Sequence, residues 1–286
     1  MLRALILGHA LDPVANAVAS ALLRTGTFCV ERATIEQLAA ARWEHRLNAC
    51  GAVNTTLRFR DGIDSRSHVV FNRLSAVSTP YFNAWSSVDR DYACAELTAL
   101  LLSWLESLGG RVVNRPSFGS LAGPVDKPWQ WIAHAAAAGF VPHATGATTS
   151  TRRFVPPSDA LERMEMLPAL VFPGLDRPLG YAGPAAALID LLVVGDTIVG
   201  GAEAASAHLA CLRLAQMTQT DVLGVRLARI APEIAPEIVD DATWRFVSAT
   251  SAPAIEGEEA MAALISLLEQ RATGAYACVT SATGHP

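Results

Sequence analysis

The chain opens on an apolar run, Leu2 to Leu7, of the kind found in a strand covered on both faces. A helix start follows. Asp12 is a capping residue, Pro13 suits the first helical turn, Val14, Val18 and Leu22 share one face, and Gly26 supplies the stop. Phe28 to Val30 predicts a second strand and Ile35 to Trp43 a second helix. Leu47 to Asp61 is strand-like and ends on the turn pair Asp61-Gly62, and His68 to Leu74 predicts another strand. Leu97, Leu100, Leu101, Trp104, Leu105 and Leu108 form the stripe of a long helix, about residues 91–108, which Gly109-Gly110 stops. Arg111 to Asn114 is a short strand. Strands alternating with helices imply a mostly parallel sheet with helices on its faces.

The second half is punctuated differently. A loop from Pro116 to Pro124 precedes a helix over about 126–139, with Trp129, Ile132, Ala133 and Ala136 expected inward. Thr145 to Pro157 is polar and proline-rich, and 170–184 is full of glycine and proline. Between Ala186 and Val199 a buried hairpin turns around Gly195-Asp196. The last third reads helix (204–217, with Leu209, Leu212 and Met217 apolar), strand (222–230), strand (243–250) and helix (258–272, with Met261, Leu264, Ile265 and Leu268 inward). The tail from Thr273 is small and polar, as frayed termini are.

Composition narrows the classes. At 286 residues the chain has room for two domains and needs no disulfide or metal to hold a core. Hydrophobic residues make up 51% and charged ones 17%, which excludes disorder. The net charge of −5, with no basic cluster, argues against nucleic acid. Five widely spaced cysteines without a CxxC fit a reducing cytoplasm better than a disulfide framework or a zinc site. Asp12-Pro13 interrupts the apolar start, so it reads as a strand and not a signal sequence, and Asp190 and Asp196 interrupt the apolar stretch 183–201, so no membrane span is expected. Lys127 is the single lysine.

Several stretches, in order, resemble the ATP-grasp superfamily of carboxylate–amine ligases, in particular the RimK-like, peptide-ligating kind. They are Val70-Phe71-Asn72-Arg73-Leu74, a helix carrying Glu96 and Leu100 to Leu105, Arg111 to Pro116, and Asp126-Lys127 opening a helix that ends Gly139-Phe140-Val141-Pro142. Val193 to Ile198, Cys211 to Ala215, Leu223 to Leu227 and Trp244 to Pro253 continue the series. The resemblance spans roughly residues 65–270, and residues 1–64 fit only in pattern. It implies an ATP-grasp-like α/β fold with an N-terminal domain over 1–115 and a reduced ATP-grasp domain over 116–286. Within the latter it implies a lid remnant at about 143–200 and a C-terminal α+β half at about 201–272.

Such ligases activate a carboxylate with ATP as an acyl-phosphate and let an amine attack it. Lysines neutralise the phosphates, and carboxylates hold magnesium, a hard ion that prefers oxygen ligands. The resemblance places Lys127 at a phosphate-binding position. It also places Arg226 where the family has an acidic residue, and Ser248 and Thr250 where it has Glu and Asn. A guanidinium about 4 Å from a metal ion is repelled by several kcal/mol at an effective dielectric near 20. No lysine follows Lys127, and the lid region is short and broken. ATP and Mg2+ are thus the cofactors the family implies, while the residues that hold them look substituted.

Other candidates have plainer readings. His9 and Asp12 stand at the carboxyl end of the first strand, where open parallel sheets bind ligands; a capped helix start with a satisfied histidine is the plainer reading. Lys127 also reads as an exposed first-turn residue, Asp126 as its cap, His134 as structural, and Cys94 and Cys211 as inert core thiols. Gly119 to Gly123 matches neither a Walker loop nor a nucleophile elbow. Two functional readings stand. One is a non-catalytic ATP-grasp homologue, a binding or partner subunit of an active ligase; the other is a working ATP-dependent ligase of peptide or amino-acid substrates. The apolar bias makes a homodimer an expectation.

Overall fold

The structure is a computed structural model that describes residues 1–49, 53–58, 68–77, 85–117, 119–125, 128–142, 164–166, 180–182, 188–229 and 244–274. It divides into two compact units. The first comprises residues 1–125, 219–222 and 251–286, and the second residues 126–218 and 223–250.

The first unit is built on a four-stranded parallel sheet in the order β2-β1-β5-β6, from β1 (Leu2–Leu7), β2 (Phe28–Ala33), β5 (Val69–Asn72) and β6 (Val112–Val113). The chain leaves β1 to one side for β2 and later returns to its other side for β5. The topological switch point therefore lies between β1 and β5. Helix α1 (Pro13–Thr25) joins β1 to β2. Its start is as the sequence predicts: the Asp12 carboxylate accepts from the amides of Val14 (2.9 Å) and Ala15 (3.1 Å). Gly26 ends it at φ 69°, a left-handed conformation that costs glycine little.

Helix α2 (Ile35–Ala40) begins with a capping box. Thr34 accepts from the Gln37 amide, and the Gln37 side chain accepts from Thr34 N at 2.9 Å. It ends three residues earlier than the sequence suggests. Trp43 falls instead in a hairpin, β3 (Arg42–Leu47) and β4 (Val53–Arg58). The tryptophan packs edge-on against fully buried Trp104 at 5.5 Å between centroids, a contact worth roughly 0.5–1.5 kcal/mol beyond burial. Helix α3 (Ser87–Ser107) starts four residues before the expected position because Ser86 caps the Asp89 amide. Its face of Leu97, Leu101, Trp104 and Leu105 joins Leu5, Leu7, Val70 and Val112 in one core. Helix α6 (Glu258–Ala272) packs on β1 and β5, with Glu258 and Glu259 at its positive end and Arg271 at its negative end.

The second unit holds a five-stranded sheet in the order β11-β10-β12-β13-β7. Its strands are β7 (Val141–Pro142), β10 (Leu188–Val194), β11 (Thr197–Val199), β12 (Val222–Arg229) and β13 (Trp244–Thr250). The hairpin β10–β11 turns at Gly195-Asp196 as the sequence predicts. A short separate hairpin pairs β8 (Met164–Met166) with β9 (Gly180–Ala182). One face of the large sheet packs Leu191, Val193, Leu223, Val225, Leu227 and Phe246 against α4 (Pro128–Ala138) and α5 (His208–Met217).

The inward faces of both helices match the expected ones only in part: Ile132 and Leu212 pack half-buried against this core as expected, but the fully buried residues are others. In α4 they are Trp131, Ala135 and Ala138, while Trp129 is exposed. In α5 they are Cys211, Leu214 and Ala215, while Leu209 and Met217 are exposed. In α6 the expected Leu264 and Leu268 are buried, joined by Ala260 and Leu267 in place of Met261 and Ile265. No helix among the described residues is long and apolar enough to cross a membrane. Lys127, Asp126 and most of the expected lid lie outside the described residues.

Candidate functional site

Strand β12 alternates between the covered and the open face of its sheet. Val225 and Leu227 point into the core, so Arg226 between them points to the other side. It meets Asp190 of β10, the neighbouring strand, in a two-pronged ion pair. Arg226 Nε donates to Asp190 Oδ1 at 2.7 Å and Nη2 donates to Oδ2 at 2.8 Å. This fork-to-fork arrangement is the strong form of the arginine–carboxylate contact. The Asp190 hydrogen bonds push the Arg226 pKa further up and outweigh the partial burial that opposes it. Both side chains are solvent-accessible, 41% and 67% exposed, so the pair contributes only about 0–1 kcal/mol to stability. Its significance is positional.

On the other side of β12, Arg226 stands directly opposite Ser248 of β13, and Gly224 stands opposite Thr250. The register then shifts. Leu227 pairs with Phe246, which leaves Val247 as an extra residue on β13. The bulge does two things at once. It lets Phe246 enter the core beside Leu227, and it brings Ser248 level with Arg226. Asp190, Arg226 and Ser248 therefore form a row across three adjacent strands. The row is partly legible: the resemblance points to Arg226, Ser248 and Thr250, whereas Asp190 stands in the sequence only as a charge interrupting an apolar stretch. A lone acidic residue inside a buried strand was the available signal.

The remaining candidates fall in other places. His9 is exposed at the carboxyl end of β1, and its carbonyl accepts from the Asp12 amide at 3.0 Å. Asp12 has a second role beyond capping: Arg73, just past β5, donates from Nε to Asp12 Oδ2 at 2.7 Å and from Nη1 to the Pro253 carbonyl at 3.1 Å. Burial opposes ionisation of Asp12, but Arg73 and the two capping amides together hold its carboxyl below the ordinary value. Both groups at the switch point are thus already engaged with each other. Arg73 entered the sequence reading only as part of a motif; its role needed the fold.

Asn114, in the Asn-Arg-Pro motif, bonds within the first unit to Val222 and Ser251 (2.7–3.0 Å). His134 packs edge-on against Trp131, and Cys211 is fully buried, which pushes its thiol up to about 12. A thiol held protonated in this way is a poor nucleophile.

No protein-family model matches the sequence, and no curated protein does. Solved structures do match, over nearly the whole chain. The macrocyclase MdnC of Microcystis aeruginosa, solved with its precursor peptide MdnA, superposes with a TM-score of 0.66 at 12% identity, covering 94% of this chain and 100% of that one. The ligase PsnB, solved with a minimal precursor, Mg and ADP, gives 0.65 at 14% identity, covering 94% and 98%. A RiPP-associated ligase of Chryseobacterium gregarium, solved with ADP and a leader and core peptide, gives 0.63 at 14% identity, covering 95% and 97%. Across both of its units, this chain has the ATP-grasp ligase fold.

Proposed function

We propose that this chain is a non-catalytic ATP-grasp protein that serves as a peptide-binding or partner subunit beside an active ligase. The observation that carries the reading is the Arg226–Asp190 ion pair standing level with Ser248. Acyl-phosphate formation from ATP needs magnesium bridging the phosphates, held by carboxylates and other hard oxygen donors. The row offers one fixed cation, one neutral hydroxyl and one carboxylate whose charge is already directed at the cation. Those donors do not fit a pair of magnesium ions. The fit fails through reversal of the local field, and a small shift of side chains does not repair it. Peptide binding is supported separately, because the three similar ligases were all solved with precursor peptides.

A second reading, a working ATP-dependent ligase, is supported by the ADP and Mg present in the structure of PsnB. Calorimetry of the purified protein with ATP separates the two. Adding Mg2+ is expected to leave ATP binding unchanged and weaker than micromolar. Micromolar binding that appears only with Mg2+ overturns the non-catalytic reading.

The reading also places the chain in the cytoplasm, supported by the free thiols Cys29, Cys94 and Cys211. It includes a homodimer, supported by exposed Val88 and Tyr92 on α3, 75% and 68% accessible. The sedimentation mass is expected to be that of two chains; a mass of one chain at tens of micromolar removes the dimer.

A further inference from the structure

The first unit contains a cleft that the ATP-grasp reading does not use. It has a volume of about 340 Å3 and is lined by Ala39 of α2, Trp43 of β3, and Glu96, Leu97 and Leu100 of α3. Glu96 and Leu100 are one helical turn apart, and Leu97 lies beside them, so one side of α3 forms the floor. Trp43 is a fixed wall. Its Nε1 donates to the Leu38 carbonyl at 2.8 Å, and its ring is braced by Trp104. An aromatic group held in this way loses no rotamer freedom when a ligand docks.

The polar character of the cleft is one-sided. Glu96 is exposed and has no hydrogen-bond or ion-pair partner among the described residues. The nearby strand β3 does carry cations, but Arg42 and Arg46 alternate with Trp43 and therefore face away from it; Arg46 is paired with Glu44. His45 shares the Trp43 side, yet both its ring nitrogens are engaged, by Thr55 at 2.7 Å and by Ser103 at 3.1 Å. The described residues thus present a carboxylate, a rigid indole and a short aliphatic floor, and among them no cation completes the set.

We infer that this cleft binds an arginine side chain of a partner peptide. The three methylenes of arginine match the floor of Leu97, Leu100 and Ala39. The guanidinium then reaches the Glu96 carboxylate, where it forms a charge-assisted hydrogen bond, and the indole of Trp43 adds a cation–π contribution. A carboxylate or phosphate ligand is repelled by Glu96, and a purely apolar ligand leaves Glu96 desolvated without a partner. The inference rests on the peptide-binding part of the function proposed above but needs neither ATP nor the Arg226 row, so its probe titration and the ATP calorimetry fail separately.

The test uses the full-length protein, a tripeptide probe, N-acetyl-Leu-Arg-Leu-amide, and its citrulline counterpart, which keeps the shape and removes the charge. The indole N–H resonances report binding. The arginine probe is expected to shift the Trp43 signal saturably, and raised ionic strength to weaken it. Loss of the charged partner costs about tenfold or more in affinity, both for citrulline and for Glu96→Gln. Because Glu96 is exposed, that variant should melt as the parent does. Equal binding of the two probes overturns the inference. So does unchanged affinity in Glu96→Gln, or a Trp43 signal that does not move.

Discussion

Replacing Arg271 by alanine lowers the unfolding free energy by about 3–5 kcal/mol at neutral pH, because it strands a carboxylate inside the first unit. Arg271 is 7% exposed and lies in the last turn of α6, where its Nη2 donates to Asp221 Oδ1 and its Nη1 donates to the Gly110 carbonyl at 2.6 Å. Asp221 also accepts from the Asn114 amide at 3.0 Å. Burial is the largest influence on Asp221 and pushes its carboxyl above the ordinary value despite the charge of Arg271.

The sign of the pH dependence follows. A carboxyl that binds its proton more tightly folded than unfolded costs stability as pH rises through the raised value. Without Arg271 that cost grows, since nothing beside the carboxylate offsets its burial as strongly. At about pH 3, below the ordinary aspartate value, Asp221 is largely protonated in both states, and the deficit of the variant shrinks to lost packing and the lost bond to Gly110. Urea titrations of parent and Arg271→Ala at the two pH values measure this. A deficit that is the same at both, or one below about 1 kcal/mol at neutral pH, would sink the account.

The second large effect is at Asn114. Its side chain is 2% exposed and makes three hydrogen bonds: Nδ2 donates to the carbonyls of Val222 (3.0 Å) and Ser251 (2.7 Å), and Oδ1 accepts from Val222 N (2.8 Å). These bonds tie β6 to two later segments of the same unit, 219–222 and 251–257. Its backbone is left-handed, φ 57°, which asparagine tolerates and alanine does not. Alanine here leaves three buried backbone groups without partners, at roughly 1–1.5 kcal/mol each, and adds about 1 kcal/mol of backbone strain. The expected loss is therefore about 4–5 kcal/mol. Asn114→Gly removes the same bonds without the strain and should be about 1 kcal/mol less damaging. If alanine and glycine behave alike, strain is not part of the cost. If both stay within about 1 kcal/mol of the parent, the network does not join these segments as described.

These two residues show where the sequence was opaque. In the sequence Asn114 ends a short strand and Arg271 falls in the last turn of a helix, and neither pattern sets them apart. Their importance comes from partners 50 to 161 positions away along the chain. The same holds for the Arg226 row. The ordered motifs pointed to Arg226, Ser248 and Thr250. The bulge at Val247 and the Asp190 contact, which set the geometry of the row, depend on strand pairing that no local pattern encodes.

Helix faces were legible only in part, for a different reason: Leu264 and Leu268 are buried as expected, but α4 and α5 turn other residues inward. In α4 and α5 alanines and apolar residues lie on every side, so periodicity does not distinguish Trp129 from Trp131 or Leu209 from Cys211. The sheet behind each helix chose the face, and the large side chains left over remained exposed. The sequence extends the second helix to Trp43, three residues too far. A long-range contact with Trp104 and a six-residue pairing with β4 overrode that extension.

By itself the sequence determined what short-range physics controls. It set the capped start of α1 at Asp12-Pro13 and its stop at Gly26, the turn at Gly195-Asp196, the alternation that made an α/β fold, and the ordered motifs that pointed to the ATP-grasp fold. Those signals lie within a turn or a strand of the residues they govern, so they need no neighbours to be read. The tertiary structure alone decided which helix face is buried, where β13 bulges, that Asp12 belongs to Arg73 and Asp190 to Arg226, and that the last helix packs on the first strand. Each of these is a choice among locally equivalent options, settled by burial and charge pairing between segments far apart in the chain.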